Sequence, residues 1–306
     1  MNRRTFLKYQ AAGLLWAAVG APGLSPLKAA LADGPPDVAV VKGTPAAATR
    51  AAVKLLGGLE RFVKPGHKVL IKPNMSFAKG VDSATTTHPE VVRELVIMSK
   101  EAGAAQVRVL DHSLQDPQRS LELSGILAAC EGVEPGICRH LMDERFYQET
   151  EIAQAREMMR NGFMRDALEA DVIIAAPVAK SHSGAGVSLS LKGQMGLIID
   201  RGSMHSRYSL DQSIVDLNLR LKPTLAVIDA TRVLTSGGPG GPGLVITPGE
   251  IIASADPVAA DATAVAAYEW SGRKIEPRQV AHLAAAHERG LGRMDIDRLV
   301  TRRLEL

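Results

Sequence analysis

Asp171-Val172-Ile173-Ile174-Ala175-Ala176-Pro177-Val178-Ala179-Lys180-Ser181-His182 is the stretch that decides the fold class. Val172 to Ala176 is an unbroken apolar run, too short for a helix and bounded by Asp171 and Pro177. Such a run reads as a strand buried on both faces, the kind found in parallel sheets covered by helices. Pro177 ends the run, and Lys180 and His182 follow where the chain is expected to turn back. Ten residues beyond His182 stands Lys192, within Leu189-Ser190-Leu191-Lys192-Gly193-Gln194-Met195-Gly196. In open α/β sheets the carboxyl ends of the strands face the ligand crevice. Three potential cations at that edge need a partner, because unpaired charge beside a core is costly.

Working outward, short apolar runs alternate with helical stretches, which predicts an α/β fold with a mostly parallel sheet flanked by helices. Strands are expected at Val38–Lys42, Lys68–Lys72, Gln106–Asp111, Leu225–Asp229 and Glu250–Asp256, with an edge strand in 297–305. Helices are expected at Ala46–Phe62, His88–Ala102, Phe163–Ala170, Leu210–Leu221 and Arg278–Arg289, and another from Pro257. Thr87-His88-Pro89-Glu90 fits a capping box with Thr87 at the N-cap. Residues 33–306 read as one domain, in which 112–165, with a strand at Ile137–Met142, forms a candidate small inserted subdomain.

The first 32 residues belong to a different category. Asn2-Arg3-Arg4-Thr5-Phe6-Leu7-Lys8 resembles a twin-arginine export signal, followed by a modest apolar stretch from Ala11 to Ala21 and small residues at Ala30-Leu31-Ala32. That stretch is shorter than the roughly 20 residues a membrane span needs. The expectation is export of a folded protein to the periplasm by the twin-arginine translocase, with no stable transmembrane segment after cleavage. The segment carries Arg3, Arg4, Lys8 and Lys28 and no acid, so its loss takes the formal charge from +3 to −1. Nucleic-acid binding then has no electrostatic basis, and 4% aromatic residues leave few stacking platforms.

Cys130 and Cys138 are the only cysteines. Two cannot supply the four thiolates of an iron–sulfur cluster, so none is expected. In an oxidising compartment they form either a local disulfide or two free thiols.

Polar residues follow one strand after another: Lys72 and Asn74, Asp111 and His112, Lys180 and His182, Asp229 and Thr231, then Asp256. The candidate reacting residues are Lys180, His182 and Lys192. Lys72, Asn74, Thr86, Thr87, His88, Asp111, Asp229 and Asp256 are candidate substrate-binding residues, and His182 and His205 candidate metal ligands. Ser183-Gly184-Ala185-Gly186 offers backbone amides for an anion-binding nest, and two lysines beside it suit a carboxylate or phosphate. A lysine made less basic by a second cation also serves as a base or Schiff-base amine. Bland readings stand beside these: an aspartate after a strand caps the next helix, which suits Asp256 before Pro257, and His205 reads equally as an exposed loop histidine. The glycine-rich loop Ser236–Gly243 lacks the Gly-Lys-Ser/Thr ending of a Walker motif. Neither a Gly-x-Ser-x-Gly elbow nor His-Glu-x-x-His occurs, which argues against those hydrolase classes.

Taken in order, Val69-Leu70-Ile71-Lys72-Pro73-Asn74, Thr85-Thr86-Thr87-His88-Pro89-Glu90-Val91-Val92, Ala102-Gly103-Ala104, the Lys180-x-His182 segment with Leu191-Lys192-Gly193, Val227-Ile228-Asp229-Ala230-Thr231 and Ala253–Asp261 resemble the family known as domain of unknown function 362. The resemblance spans about residues 38–270. Some relatives carry ferredoxin-like cysteine motifs, which this chain lacks, so it implies no electron transfer here. Many have Asn where this chain has Gly193. A fainter resemblance is to the nickel-pincer lactate racemases, in which a histidine precedes the cofactor-bearing lysine by ten residues and another histidine lies downstream. His182, Lys192 and His205 match those places, implying a cytosol-loaded cofactor, nickel near His205 and acid–base histidines. Two function classes follow: an exported enzyme acting on a small anionic metabolite, with the pincer racemase as a special case, or a non-catalytic periplasmic protein that captures an anion or metal.

Overall fold

The computed structural model describes residues 34–306, so the export-signal reading of 1–32 lies outside the described residues. The strands are β1 (Val38–Lys42), β2 (Lys68–Pro73), β3 (Gln106–Asp111), β4 (Cys138–His140), β5 (Tyr147–Glu151), β6 (Arg160–Met164), β7 (Val172–Ala176), β8 (Val178–His182), β9 (Gly186–Ser188), β10 (Leu225–Leu234), β11 (Val245–Ile246), β12 (Glu250–Ser254), β13 (Glu269–Trp270), β14 (Arg273–Lys274) and β15 (Thr301–Glu305). Eleven of them form one sheet, whose main path runs β15-β1-β12-β10-β7-β2-β3-β4, with β8 and β11 paired to β10 and β9 to β8. Along the main path all strands run in the same direction except β12, which is antiparallel to both neighbours. The carboxyl ends of β2, β3, β7 and β10 therefore share one edge.

The helices are α1 (Pro45–Leu55), α2 (Pro89–Glu101), α3 (Pro117–Ser124), α4 (Ile126–Glu131), α5 (Arg165–Glu169), α6 (Ser190–Gly193), α7 (Gly202–Ser206), α8 (Leu210–Arg220), α9 (Pro257–Ala267) and α10 (Ala281–Glu288). Strand alternation divides the core between two layers. Val69 and Ile71 of β2 and Val172 and Ile174 of β7 pack against α1, α2 and α4. Leu70 and Ile173, pointing the other way, join the cluster made by α8, α9 and α10. Covering both faces is what makes β7 apolar at every position. Among the described residues no helix is long and apolar enough to cross a membrane.

Several local expectations change. The turn expected after Pro177 does not form. Pro177 lacks an N–H and ends the pairing of β7, but its carbonyl accepts from Asp229 N (2.8 Å), and Asn74 Oδ1 accepts from Val178 N (3.1 Å). The chain runs straight on as β8, parallel to the outer half of β10. It reverses only at 183–185, into antiparallel β9.

Phe163–Ala170 is not one helix, because 160–164 pairs with β5 as a hairpin before the short α5. The helix from Ala46 stops at Leu55, since Gly57 and Gly58 adopt φ of 100° and 84°, a region open to glycine. His88, not Thr87, caps α2: its Nδ1 accepts from Glu90 N (3.2 Å). Thr87 is engaged elsewhere, its Oγ1 donating to Ala176 O (2.7 Å) and accepting from Asn74 N (2.9 Å). Within 112–165, β4 extends the main sheet beside β3, while β5 and β6 form a separate two-stranded sheet. Cys130 and Cys138 are buried free thiols. The neighbouring Cys130 and burial together hold the Cys138 thiol well above its ordinary range.

Candidate functional site

At the shared carboxyl edge, Lys72 closes β2 and Asp111 closes β3. Both are buried, and Lys72 Nζ lies 3.1 Å from Asp111 Oδ1 while donating to Pro73 O (2.5 Å). Asp111 also accepts from Met75 N (3.1 Å), Ser76 Oγ (2.8 Å) and His112 N (2.9 Å). Burial pushes its carboxyl up, but Lys72, His140 and the Ser76 bond outweigh that and hold it low. Burial draws the Lys72 amine below its ordinary value, against the pull of Asp111. Gly196 makes the pair fit: a Cβ there would stand 1.9 Å from Asp111 Oδ1 and 2.4 Å from Lys72 Cε.

β8 brings up Lys180, only 2% exposed. Its ammonium donates to Thr85 O (2.7 Å) and sits 4.8 Å above the Phe77 ring. Burial lowers its pKa to about 7, with Lys72 and Lys192 adding repulsion against the attraction of Asp111. Lys192, on the one-turn α6, is 8% exposed. Asp261 holds that turn by accepting from Ser190 N (2.8 Å) and Leu191 N (3.0 Å). Burial, then Arg201 and Lys72, lower the Lys192 amine to about 8. Among the described residues Lys192 has neither a hydrogen-bond acceptor nor an ion-pair partner.

His182 ends β8. Its Nδ1 accepts from Gly184 N and Ala185 N, both at 3.1 Å, so the proton of the neutral ring is on Nε2. Burial and the nearby Lys192 and His205 lower its pKa to about 3. The ring is therefore a neutral donor across the physiological range. The amides expected to form an anion nest are consumed by this histidine and by the tight β8–β9 reversal. His205, on α7, stacks parallel to His182 with centroids 6.0 Å apart and planes 14° apart.

These groups line one cavity of about 560 Å³, to which Lys72, Asn74, Asp111, Lys180, His182, Lys192 and His205 all contribute. Sequence reasoning missed Arg201, which lines it too. Its guanidinium donates to His112 O and Ser113 O, each at 3.0 Å, which fixes it over the site. Its signal was its place between Lys192 and His205 in a polar segment. Ser76 and Ser188 also line the cavity. Lys72, Lys180, Lys192 and Arg201 thus face Asp111 as the one carboxylate in the lining.

Five expected binding residues lie outside the lining. Asp229 is buried and saturated: it accepts from Thr231 N and Oγ1 (3.0 and 2.5 Å), from Arg232 Nη2 (2.7 Å) and from His88 N (2.7 Å). With Arg232 it ties down 81–88, whose Val81 and Thr86 carbonyls accept from the guanidinium. Thr86, Thr87, His88 and Asp229 therefore brace the wall that presents Thr85 O to Lys180. Asp256 caps α9 by accepting from Val258 N (2.9 Å) and Ala259 N (3.1 Å), and it also accepts from Arg293 N (2.7 Å). No group of three or more His, Cys, Asp or Glu side chains among the described residues is arranged to hold a metal.

A family model described as a domain of unknown function (DUF362) matches residues 69–266. A thylakoid-associated protein of Synechocystis sp. is 24% identical over 211 residues, covering 64% of this chain; the chain spans 62% of that relative's length. Among solved structures, the lactate racemase apoprotein of Thermoanaerobacterium thermosaccharolyticum aligns with a TM-score of 0.46 at 13% identity, over 71% of this chain and 54% of that one. A protein of Thermotoga maritima aligns with a TM-score of 0.41 at 11% identity, over 73% and 59% of the two chains.

Proposed function

This chain belongs to the domain of unknown function 362 family, and on that premise we propose that it is an exported, periplasmic α/β enzyme that acts on a small anionic metabolite in the cavity at the sheet's carboxyl edge. One observation carries the reading: Lys192 is nearly buried in the cavity wall with no acceptor among the described residues, and Arg201 and Lys72 repel it. A buried ammonium without a counter-charge is costly, and an anion in the cavity removes that cost. In this reading Arg201 and Lys180 hold the anion and His182 Nε2–H donates to it. Lys192, with a pKa of about 8, has an appreciable free-amine fraction near neutrality and is the reacting group, as base or as carbonyl nucleophile. Turnover of an organic-acid panel, with Lys192→Ala folded but inactive, is the expected result. A wild-type protein whose melting temperature rises with anions but which turns none over is instead the non-catalytic binding protein.

A second reading has its own support, since His182, Lys192 and His205 line the same cavity with the two imidazoles stacked. Lys192's unpartnered amine suits covalent attachment of a nickel-pincer group. His205, which makes no hydrogen bond among the described residues, suits a single nickel contact. Such a group, when bound, supplies hydride acceptance from a 2-hydroxy acid. Here His182 Nε2–H would orient the substrate and Arg201 its carboxylate. Intact mass and metal analysis of protein purified with residues 1–32 retained decide it: no adduct on Lys192 and no nickel end this reading.

A further inference from the structure

The cavity is larger than its charged floor needs. Lys72, Asp111, Lys180 and Lys192 are all buried, and a carboxylate held among them and Arg201 would occupy a small part of about 560 Å³. That volume falls within the roughly 300–1,000 Å³ of sites that enclose drug-sized molecules. Much of the remaining lining is carbon: Phe77, Leu114, Met195, Ile199 and Pro239. Leu114 marks the mouth, being 58% exposed. Its position is fixed from behind, because Leu114 N and Gln115 N both donate to Ser76 O at 3.2 Å. Phe77 joins the two regions, packing its face on the Lys180 ammonium while lining the same space.

We propose that the natural ligand is an amphipathic organic acid, with its anionic head at Lys180, Lys192 and Arg201 and an apolar body along Phe77, Ile199 and Leu114. This rests on the anion reading above and narrows it to a substrate class. A three-carbon hydroxy acid would leave the apolar wall facing water, and a compact polyanion would meet that wall with charge. Neither uses both halves of the lining.

The test is a calorimetric titration of the full chain, residues 1–306, with straight-chain carboxylates from acetate to hexanoate. Affinity is expected to rise about fourfold for each methylene buried, so hexanoate, four methylenes longer, binds on the order of 100-fold tighter than acetate if most of its chain is buried. Leu114→Ser, at an exposed position that does not threaten folding, is expected to flatten the series. Hexyl phosphate against inorganic phosphate repeats the comparison with the other plausible head, and the same rise is expected. If acetate and hexanoate bind equally, the amphipathic proposal is overturned while the anion reading stands. If no member binds, both fall. A wild-type rise that survives unchanged in Leu114→Ser also overturns it, because the apolar body is then not on this wall.

Discussion

Lys192 puts a buried ammonium without a counter-charge among the described residues at one position, and its replacement separates stability from function. Methionine keeps the stem and removes the ammonium. Exchanging a poorly compensated buried charge for an apolar group of similar volume is neutral or stabilising by about 1–4 kcal/mol. Lys192→Met is therefore expected to melt at the wild-type temperature or higher in urea and heat while losing anion binding. A clear loss of stability would mean that the ammonium has a structural acceptor. At this scale the sequence was legible where a residue type is unusual for its place. Lys180, His182 and Lys192 stood out beside an apolar strand, and the structure puts them in one lining. The strand-end aspartates were not legible in the same way. Asp111 enters the cavity while Asp229 is saturated by Thr231, Arg232 and His88, and nothing in either local sequence tells how many donors the fold will bring.

Elements add what single residues cannot. The turn from α6 to Gly196 works because the Gly196 backbone and the Lys72–Asp111 ion pair share a space with no room for a methyl group. Gly196→Ala is expected to force Lys72 and Asp111 apart, costing about 1–3 kcal/mol from overpacking and weakening anion binding as well. Asp256→Ala removes the cap of α9 at a comparable cost of about 1–2 kcal/mol, yet leaves anion affinity unchanged. Urea melts and titrations on the two variants distinguish them. Strand periods, prolines and the α9 cap were readable because they are local. The course of β7 into β8 was not, because the groups that carry the chain past Pro177, Asn74 Oδ1 and Asp229 N, come from distant segments. Thr87 and His88 illustrate the same limit: both suit an N-cap, and a contact to Ala176 O takes Thr87 out of contention.

The whole molecule reports the site through its pH dependence. Lys180 and Lys192 titrate near 7 and 8 in the folded chain against about 10.5 when unfolded, and Lys72 is lowered too. Between about pH 8 and 10 the unfolded chain thus holds protons that the folded one has shed, so stability rises with pH over that window. Below the folded values the difference no longer changes. Above pH 10 the raised phenols of Tyr147 and Tyr268 oppose the trend. Urea melts at pH 7.5 and 9.5 are expected to show the increase, and a Lys180→Met/Lys192→Met protein to lose most of it. An anion in the cavity acts in reverse: it raises both amines, so binding takes up protons and weakens as pH climbs. The β8–β9 hairpin that carries Lys180 and His182 has one more consequence. It occupies the flank of β10 beyond Asp229, which would otherwise present free N–H and C=O groups as a template for another chain. Loosening the hairpin to widen the cavity would uncover that flank, so a change that altered which acid is accepted would also govern whether the protein stays dispersed or aggregates.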